Sequence, residues 1–418
     1  MARLIYNLAL YLGAPLIALR LLWRSRRQPA YRHHTGERLG YYRQAARQPL
    51  LWVHAVSVGE THAAAPLIDG LLERYPDHHI LLTAMTPTGR EAGAAVYGDR
   101  VTQAYLPYDY PGAVSRFLRY FRPRCGVLME TEIWPNLLRA CRNNGVPVYL
   151  VNARLSERSA RGYRRFSSLV GPAFAGLAGV AAQTEADARR LAELGAPHPG
   201  VCGNLKFDVT LAEPLCQLGR QWRQAIGERP VWLAASTRDG EEAAILEAWR
   251  THGSDALLVV VPRHPQRFAE VAALAARRGF VCQQRSTGLP QADTQIWIGD
   301  SMGEMAAYYT LADLAFIGGS LLPLGGQNLI EAAAAGCPVV IGPHTFNFRQ
   351  AAEQAVASGA ARRITDADAL VAEAVRLLDT PEALARMKTA GLAFAEAHRG
   401  ASKKTLEFIS QQLDQAGR

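Results

Sequence analysis

A chain of 418 residues, 49% hydrophobic and 20% charged, has the composition of an ordinary globular protein and the length of two domains. Its formal charge of +9 does not make it a nucleic-acid binder, because nine arginines against Glu37 in the first fifty residues hold +8 of that charge. The rest of the chain has no basic excess with which to track a phosphate backbone. Six scattered cysteines without a CxxC fit reduced thiols rather than a disulfide framework, and the eleven histidines include no HExxH.

The first element is the apolar stretch Leu4 to Trp23, broken by Arg20 and followed by Arg24, Arg26 and Arg27. These arginines occupy the place a signal-peptide cleavage site would need. Only 16 residues lie between Arg3 and Arg20, against roughly 20 for a full span, although Arg20 can snorkel. Spanning and lying in the interface both remain open. In either case residues 1–30 read as a membrane-anchoring helix with a basic cluster that keeps the body cytoplasmic. Basic residues beside anionic lipid contribute about 1 kcal/mol each.

Beyond it, short apolar runs alternate with helical patterns. Strands are predicted at 51–55, 80–84, 101–106, 125–129, 146–151 and 179–183, and again at 231–235, 256–261, 280–283, 295–298, 314–317 and 338–341. Two such series predict two α/β Rossmann-like domains, residues 31–210 and 211–418, with ligands at the carboxyl ends of the strands in the crevice between them.

Those strand ends carry the candidate chemistry. Val56–Ser57–Val58–Gly59–Glu60 follows the first strand; Gly59 suits a tight turn, and Glu60 is either a helix-start acid or a general base. Thr86–Pro87–Thr88–Gly89–Arg90 follows the second. Glu130–Thr131–Glu132–Ile133–Trp134 offers two acids and an indole to a hydroxyl-rich ligand, and Asn152–Ala153–Arg154 ends a later strand. In the second series, Arg263 follows a strongly apolar strand and suits a phosphate or carboxylate. Ser301 or Asp300 with Glu304 reads as a capping box. Gly318–Gly319–Ser320 and Gly325–Gly326 precede a helix expected to open near Gln327–Asn328, with Glu331 in its first turn, a pattern suited to a nucleotide. Asp366–Ala367–Asp368 resembles a metal-binding DxD but precedes a helical run and reads better as a cap. No metal is expected.

Taken in order, VSVGE (56–60), TPTGR (86–90), ETEIWPN (130–136), NARLS (152–156), GNLKFD (203–208), PRHP (262–265), GDSMGE (299–304), GGS (318–320), GGQN (325–328) and Glu331 resemble the 3-deoxy-D-manno-octulosonic acid (Kdo) transferases of lipopolysaccharide synthesis. The resemblance covers nearly the whole chain. It implies a GT-B fold, an inverting glycosyl transfer from CMP-Kdo to the tetraacyl lipid A precursor, and residence at the cytoplasmic side of the cell inner membrane, with anionic lipid as a partner and no cofactor. Glu60 becomes the catalytic base. Arg263, His264, Pro265, Ser301, Met302, Gly303, Gly318, Gly319, Ser320, Asn328 and Glu331, with Lys206, form the donor set. Ser57, Gly59, Thr88, Arg90, Glu130, Glu132 and Arg154 form the acceptor set. Gln327 departs from a histidine frequent in relatives, and Ser301 replaces a frequent threonine. A GT-B enzyme using a UDP-sugar, and a non-catalytic nucleotide sensor on the same fold, are the competing readings.

Overall fold

The computed structural model describes residues 1–416 apart from Thr210 and Gly253, and leaves out the side chains of Arg27, Gln415 and Ala416. Two compact units divide the chain: Met1–Asp208 together with the segment from Gly400 onward, and Val209–Arg399. The sequence reading runs the second domain to residue 418. The structure instead packs the last helix, Ala401–Ala416, against the helix Ala65–Arg74 of the first unit. Asp208 accepts hydrogen bonds from the backbone N–H groups of Gly400 and Ser402.

In the first unit, β1 (Leu50–His54), β2 (His79–Ala84), β3 (Val101–Tyr105), β4 (Cys125–Met129), β5 (Val148–Ala153), β6 (Gly179–Ala182) and β7 (Pro199–Val201) form one sheet. Its spatial order is β3-β2-β1-β4-β5-β6-β7, all parallel. Every residue of β1 is buried, as expected of a strand covered on both faces. Alternate residues divide between two cores: Leu50 and Trp52 join Phe117, Phe121 and Leu150, while Leu51 and Val53 join Leu67, Ile68 and Ile409. Gly126 in β4 makes room for Trp52, since a Cβ there would stand 2.6 Å from the indole. The Trp52 N–H donates to Thr83 Oγ1 at 2.7 Å.

The second unit repeats the plan with β8 (Val231–Thr237), β9 (Leu257–Pro262), β10 (Cys282–Gln284), β11 (Ile296–Ile298), β12 (Leu314–Ile317), β13 (Val339–Ile341) and β14 (Ala361–Arg363). The order is β10-β11-β9-β8-β12-β13-β14, again all parallel. The sequence reading misses β7 and β14. Both are three-residue edge strands, and β7 reads Pro-Gly-Val, so neither carries an apolar run to detect.

The helix Ala2–Arg27 lies along the first unit. The Tyr6 hydroxyl donates to Asp109 Oδ2 at 2.9 Å, Asn136 Nδ2 to Asn7 Oδ1 at 2.7 Å, and the Tyr110 hydroxyl to the Leu10 carbonyl at 3.1 Å. Partly covered residues recur at helical spacing through Tyr6, Asn7, Leu10, Ala14, Ile17 and Leu21. Leu4, Ile5, Leu8, Leu12, Leu16, Leu19 and Leu22 are exposed. Tyr6, Asn7 and Ala14 thus face the protein together with Leu10, Ile17 and Leu21, while a second row of apolar side chains faces outward. A water-soluble helix would not leave that second row exposed.

Candidate active site

In the first unit the sheet order reverses between β1 and β4, the position where parallel α/β sheets bind ligands. The loops leaving these two strands carry Glu60 and Glu130. Ser57 caps the helix Val58–Ala63, its Oγ accepting the Glu60 N–H at 3.5 Å. In return the Glu60 carboxylate accepts the Val56 N–H at 2.9 Å and the Ser57 hydroxyl at 3.1 Å. The helix-start geometry therefore orients the acid rather than competing with a chemical role. Burial, with the negative charges of Glu130 and Glu132, pushes the Glu60 carboxyl up to about 7 against the opposing pull of its hydrogen bonds. A base poised near neutrality is what general-base chemistry needs. Gly59 is helical, without the left-handed φ of a turn glycine, and a Cβ on it would meet open space. The expected tight turn is absent there.

Glu130 adopts φ +60°, a left-handed conformation strained for a glutamate. Its Oε1 lies 3.1 Å from Lys206 Nζ. Lys206, assigned to the donor set, therefore belongs to the first unit and pairs with an acceptor-set carboxylate. Asn152, also left-handed at φ +50°, accepts the Leu205 N–H at 3.0 Å and so ties the lysine-bearing loop to the end of β5. Glu132 accepts the Trp134 indole N–H at 2.7 Å, and burial raises its carboxyl.

Three acceptor-set residues are placed differently. The Arg90 guanidinium is bound to Glu37 Oε2 at 2.6 Å and stacks 5.1 Å from the Tyr105 ring. Its charge is committed to the fold. Thr88 is exposed in the first turn of the helix Pro87–Tyr97, beside the capping Thr86, and Arg154 is exposed just past β5.

In the second unit the reversal lies between β8 and β12. Gly318 and Gly319 leave β12. A Cβ on Gly318 would stand 2.5 Å from the Ser236 carbonyl, so only glycine lets the two chains approach. Arg263 and His264 leave β9. Burial and the neighbouring Arg238, Arg263 and Arg267 lower the His264 imidazole. Asn328 Oδ1 accepts the Ile330 N–H at 3.0 Å, and its Nδ2 reaches Glu331 at 3.4 Å. Burial raises the Glu331 carboxyl while Asn328 and Arg263 oppose it. This gathers Arg263, Asn328 and Glu331 in one charged group. Pro265 opens a single 3-10 turn after His264.

The helix starts differ from expectation. The helix after Asn328 is only Ile330–Ala334, and the one after Ser301 begins at Met305. The Ser301 hydroxyl donates to the Glu304 carboxylate and lies 3.1 Å from the Tyr308 hydroxyl, while Asp300 takes the N–H and hydroxyl of Ser286, so the capping box does not form. Helices this short carry little dipole. Gly303 is left-handed at φ +82°, and Met302 is 61% exposed. Ser320 is wholly buried, its hydroxyl donating to the Ile317 carbonyl and accepting the Gly342 N–H. It supports the loop instead of offering a surface to a ligand. Asp366 caps the helix Ala367–Leu378 as expected.

The family profile described as 3-deoxy-D-manno-octulosonic-acid transferase (kdotransferase) matches residues 33–209. A 3-deoxy-D-manno-octulosonic acid transferase of Bordetella pertussis is 45% identical, the alignment covering 99% of this chain and 100% of that protein. The chain belongs to the Kdo transferase family. A namesake from Haemophilus influenzae is 37% identical over 99% of each chain. The fold is also that of a glycosyltransferase structure from Rickettsia africae, with a TM-score of 0.56 at 13% identity, covering 87% of this chain and 98% of the other. The architecture is GT-B, and the enzyme is a glycosyltransferase.

Sequence reasoning missed the carboxylate that organises the second half of this Kdo transferase. Glu241 is fully buried, and it accepts the N–H groups of Gly319 at 2.7 Å, Leu321 at 3.0 Å and Arg238 at 2.9 Å. Its neighbour Glu242 takes the Thr237 hydroxyl at 2.9 Å and Arg267 at 3.1 Å. The available signal was positional. The run RDGEE follows β8, the strand at the reversal, where ligand loops belong. Among the described residues no group of three or more His, Cys, Asp or Glu side chains is placed to hold a metal ion.

Proposed function

We propose that this Kdo transferase moves Kdo from CMP-Kdo to a hydroxyl of the tetraacyl lipid A precursor, with inversion, adding one or more units at the cytoplasmic side of the inner membrane. The observation that carries the reading is Glu60, a carboxylate held by two hydrogen bonds and raised to about 7. Ionised, it takes the proton of the acceptor hydroxyl. The oxygen attacks the anomeric carbon of Kdo as the bond to the CMP phosphate breaks, and CMP leaves with the electron pair. On the acceptor side, Ser57 orients the base, and Glu130, Glu132 and Lys206 offer partners for sugar hydroxyls and phosphate. On the donor side, Arg263 suits the CMP phosphate, and Asn328 and Glu331 suit its ribose. Positive charge fixed in advance stabilises the departing anion.

The test is to incubate the full-length protein with CMP-Kdo and tetraacyl lipid A precursor, with a chelator present, and weigh the lipid. A gain in Kdo units is the expected result, and its size gives the number added. Calorimetry should show CMP binding well above UDP. UDP binding in preference to CMP would overturn the donor assignment. CMP binding without any lipid product would overturn the acceptor.

A further inference from the structure

Between the N-terminal helix and the body of the first unit lies a cavity of about 490 Å³, within the usual size of ligand sites. One wall is the helix itself, through Tyr11, Ala14, Ile17, Ala18 and Leu21. The other is the turn Arg38–Leu39 and the segment from Tyr108 to Arg116. The body wall is built to close tolerance. Gly40 is left-handed at φ +83°, and a Cβ on it would stand 2.4 Å from the Ala113 carbonyl. Arg116 clamps the same turn, its Nε donating to the Leu39 carbonyl at 3.0 Å.

The walls are apolar, yet a cation sits in them. Arg38 is 2% exposed, with its guanidinium 4.1 Å from the Tyr105 ring and 5.8 Å from that of Tyr108. Its Nε and Nη2 are buried without a hydrogen-bond partner among the described residues. The adjacent Glu37 does not serve them, since its carboxylate takes Arg90, the Tyr105 N–H and His34. Nor does Asp109, which takes Tyr6 and the N–H groups of Asn136 and Leu137. Among the described residues no acid lines the cavity. Leaving buried guanidinium N–H groups unpaired is costly, so an anion belongs beside them. Apolar walls leading to that point call for a molecule with a hydrocarbon chain as well. The helix that forms the outer wall exposes Leu4, Leu8, Leu12, Leu16 and Leu19 on its other side, an apolar surface beside the cavity suited to lipid.

We propose that this cavity is a discrete site for one anionic glycerophospholipid, its phosphate on Arg38 and one acyl chain against Ala14, Ile17 and Leu21. The bound lipid completes the seam between the helix and the body and holds the helix flat along the membrane surface. The site is independent of the transfer reaction and of the diffuse basic cluster at Arg20 to Arg26.

Native mass spectrometry of the full-length protein, released from nanodiscs of mixed phosphatidylglycerol and phosphatidylcholine, tests this directly. One phosphatidylglycerol should be retained per chain, at least tenfold over phosphatidylcholine. Ala14→Trp fills the cavity with Arg38 intact, and Arg38→Gln removes the charge. Each should lower retention tenfold or more, while Arg24→Gln, outside the cavity, should leave it unchanged. Ala14→Trp keeps the test decisive if the buried arginine proves necessary for folding. Equal retention of the two lipids, undiminished retention in Ala14→Trp, or, in nanodiscs to which tetraacyl lipid A precursor is added, its retention in place of phosphatidylglycerol would each overturn the proposal. No readout involves sugar transfer, so this result and that of the transferase assay fail separately.

Discussion

Glu60→Gln should lower kcat by roughly 10²–10⁴-fold, the range of a lost general base, while CMP affinity stays within a few-fold. The amide keeps an oxygen to accept the Val56 N–H, so the loop is retained and the proton acceptor alone is lost. In the wild type, kcat/KM should rise with pH through about 7 as Glu60 ionises. The variant should lose that limb. Stability supplies an independent check with a defined sign. The carboxyl ordinarily titrates near 4.5, and the fold raises it to about 7. Between those values the folded state binds more protons than the unfolded one, so stability falls as pH climbs through the window. Gln cannot ionise. The variant should therefore melt above the wild type at pH 8 and level with it at pH 4, which paired thermal melts would measure. Near-normal turnover in the variant would remove Glu60 from the mechanism.

Glu241→Ala should be the most damaging single change in the second unit. Three backbone N–H groups, those of Arg238, Gly319 and Leu321, converge on this carboxylate. Alanine would strand all three, at about 1–3 kcal/mol for each buried donor left unpaired. The losses will not add fully, because the loop can shift and admit water. Urea denaturation should show the loss, and CMP binding should weaken at least tenfold, because Gly318 to Leu321 would no longer be held against the end of β8. Glu241→Gln keeps one acceptor oxygen and should fall between the alanine variant and wild type. Wild-type CMP affinity in the alanine variant would show that this loop plays no part in the donor site.

The two residues show where local pattern stops being informative. Glu60 is visible in VSVGE because a short-range rule puts an acid after a strand-end serine. Its raised titration is not visible, since it arises from burial and from Glu130 and Glu132, about seventy positions along the chain. Glu241 satisfies every local expectation of a helix-start acid, and nothing near it in the chain marks it as the anchor of a loop some eighty residues later. Arg90 and Lys206 make the same point. Arg90 was legible as a cation near a strand end and Lys206 through the resemblance of GNLKFD, but Glu37 and Glu130, which take up their charge, come from other elements.

By itself the sequence determined the strand-and-helix alternation, the two-sheet architecture, the family and the motifs that bear on its chemistry. These follow from period, composition and short-range spacing, which are properties of neighbouring residues. Only the tertiary structure decided which strands meet at each reversal of the sheet, that the N-terminal helix lies against the body with most of its leucines outward, and which cations are already paired. Those outcomes depend on desolvation and on charges brought together across the chain, and no local window contains them.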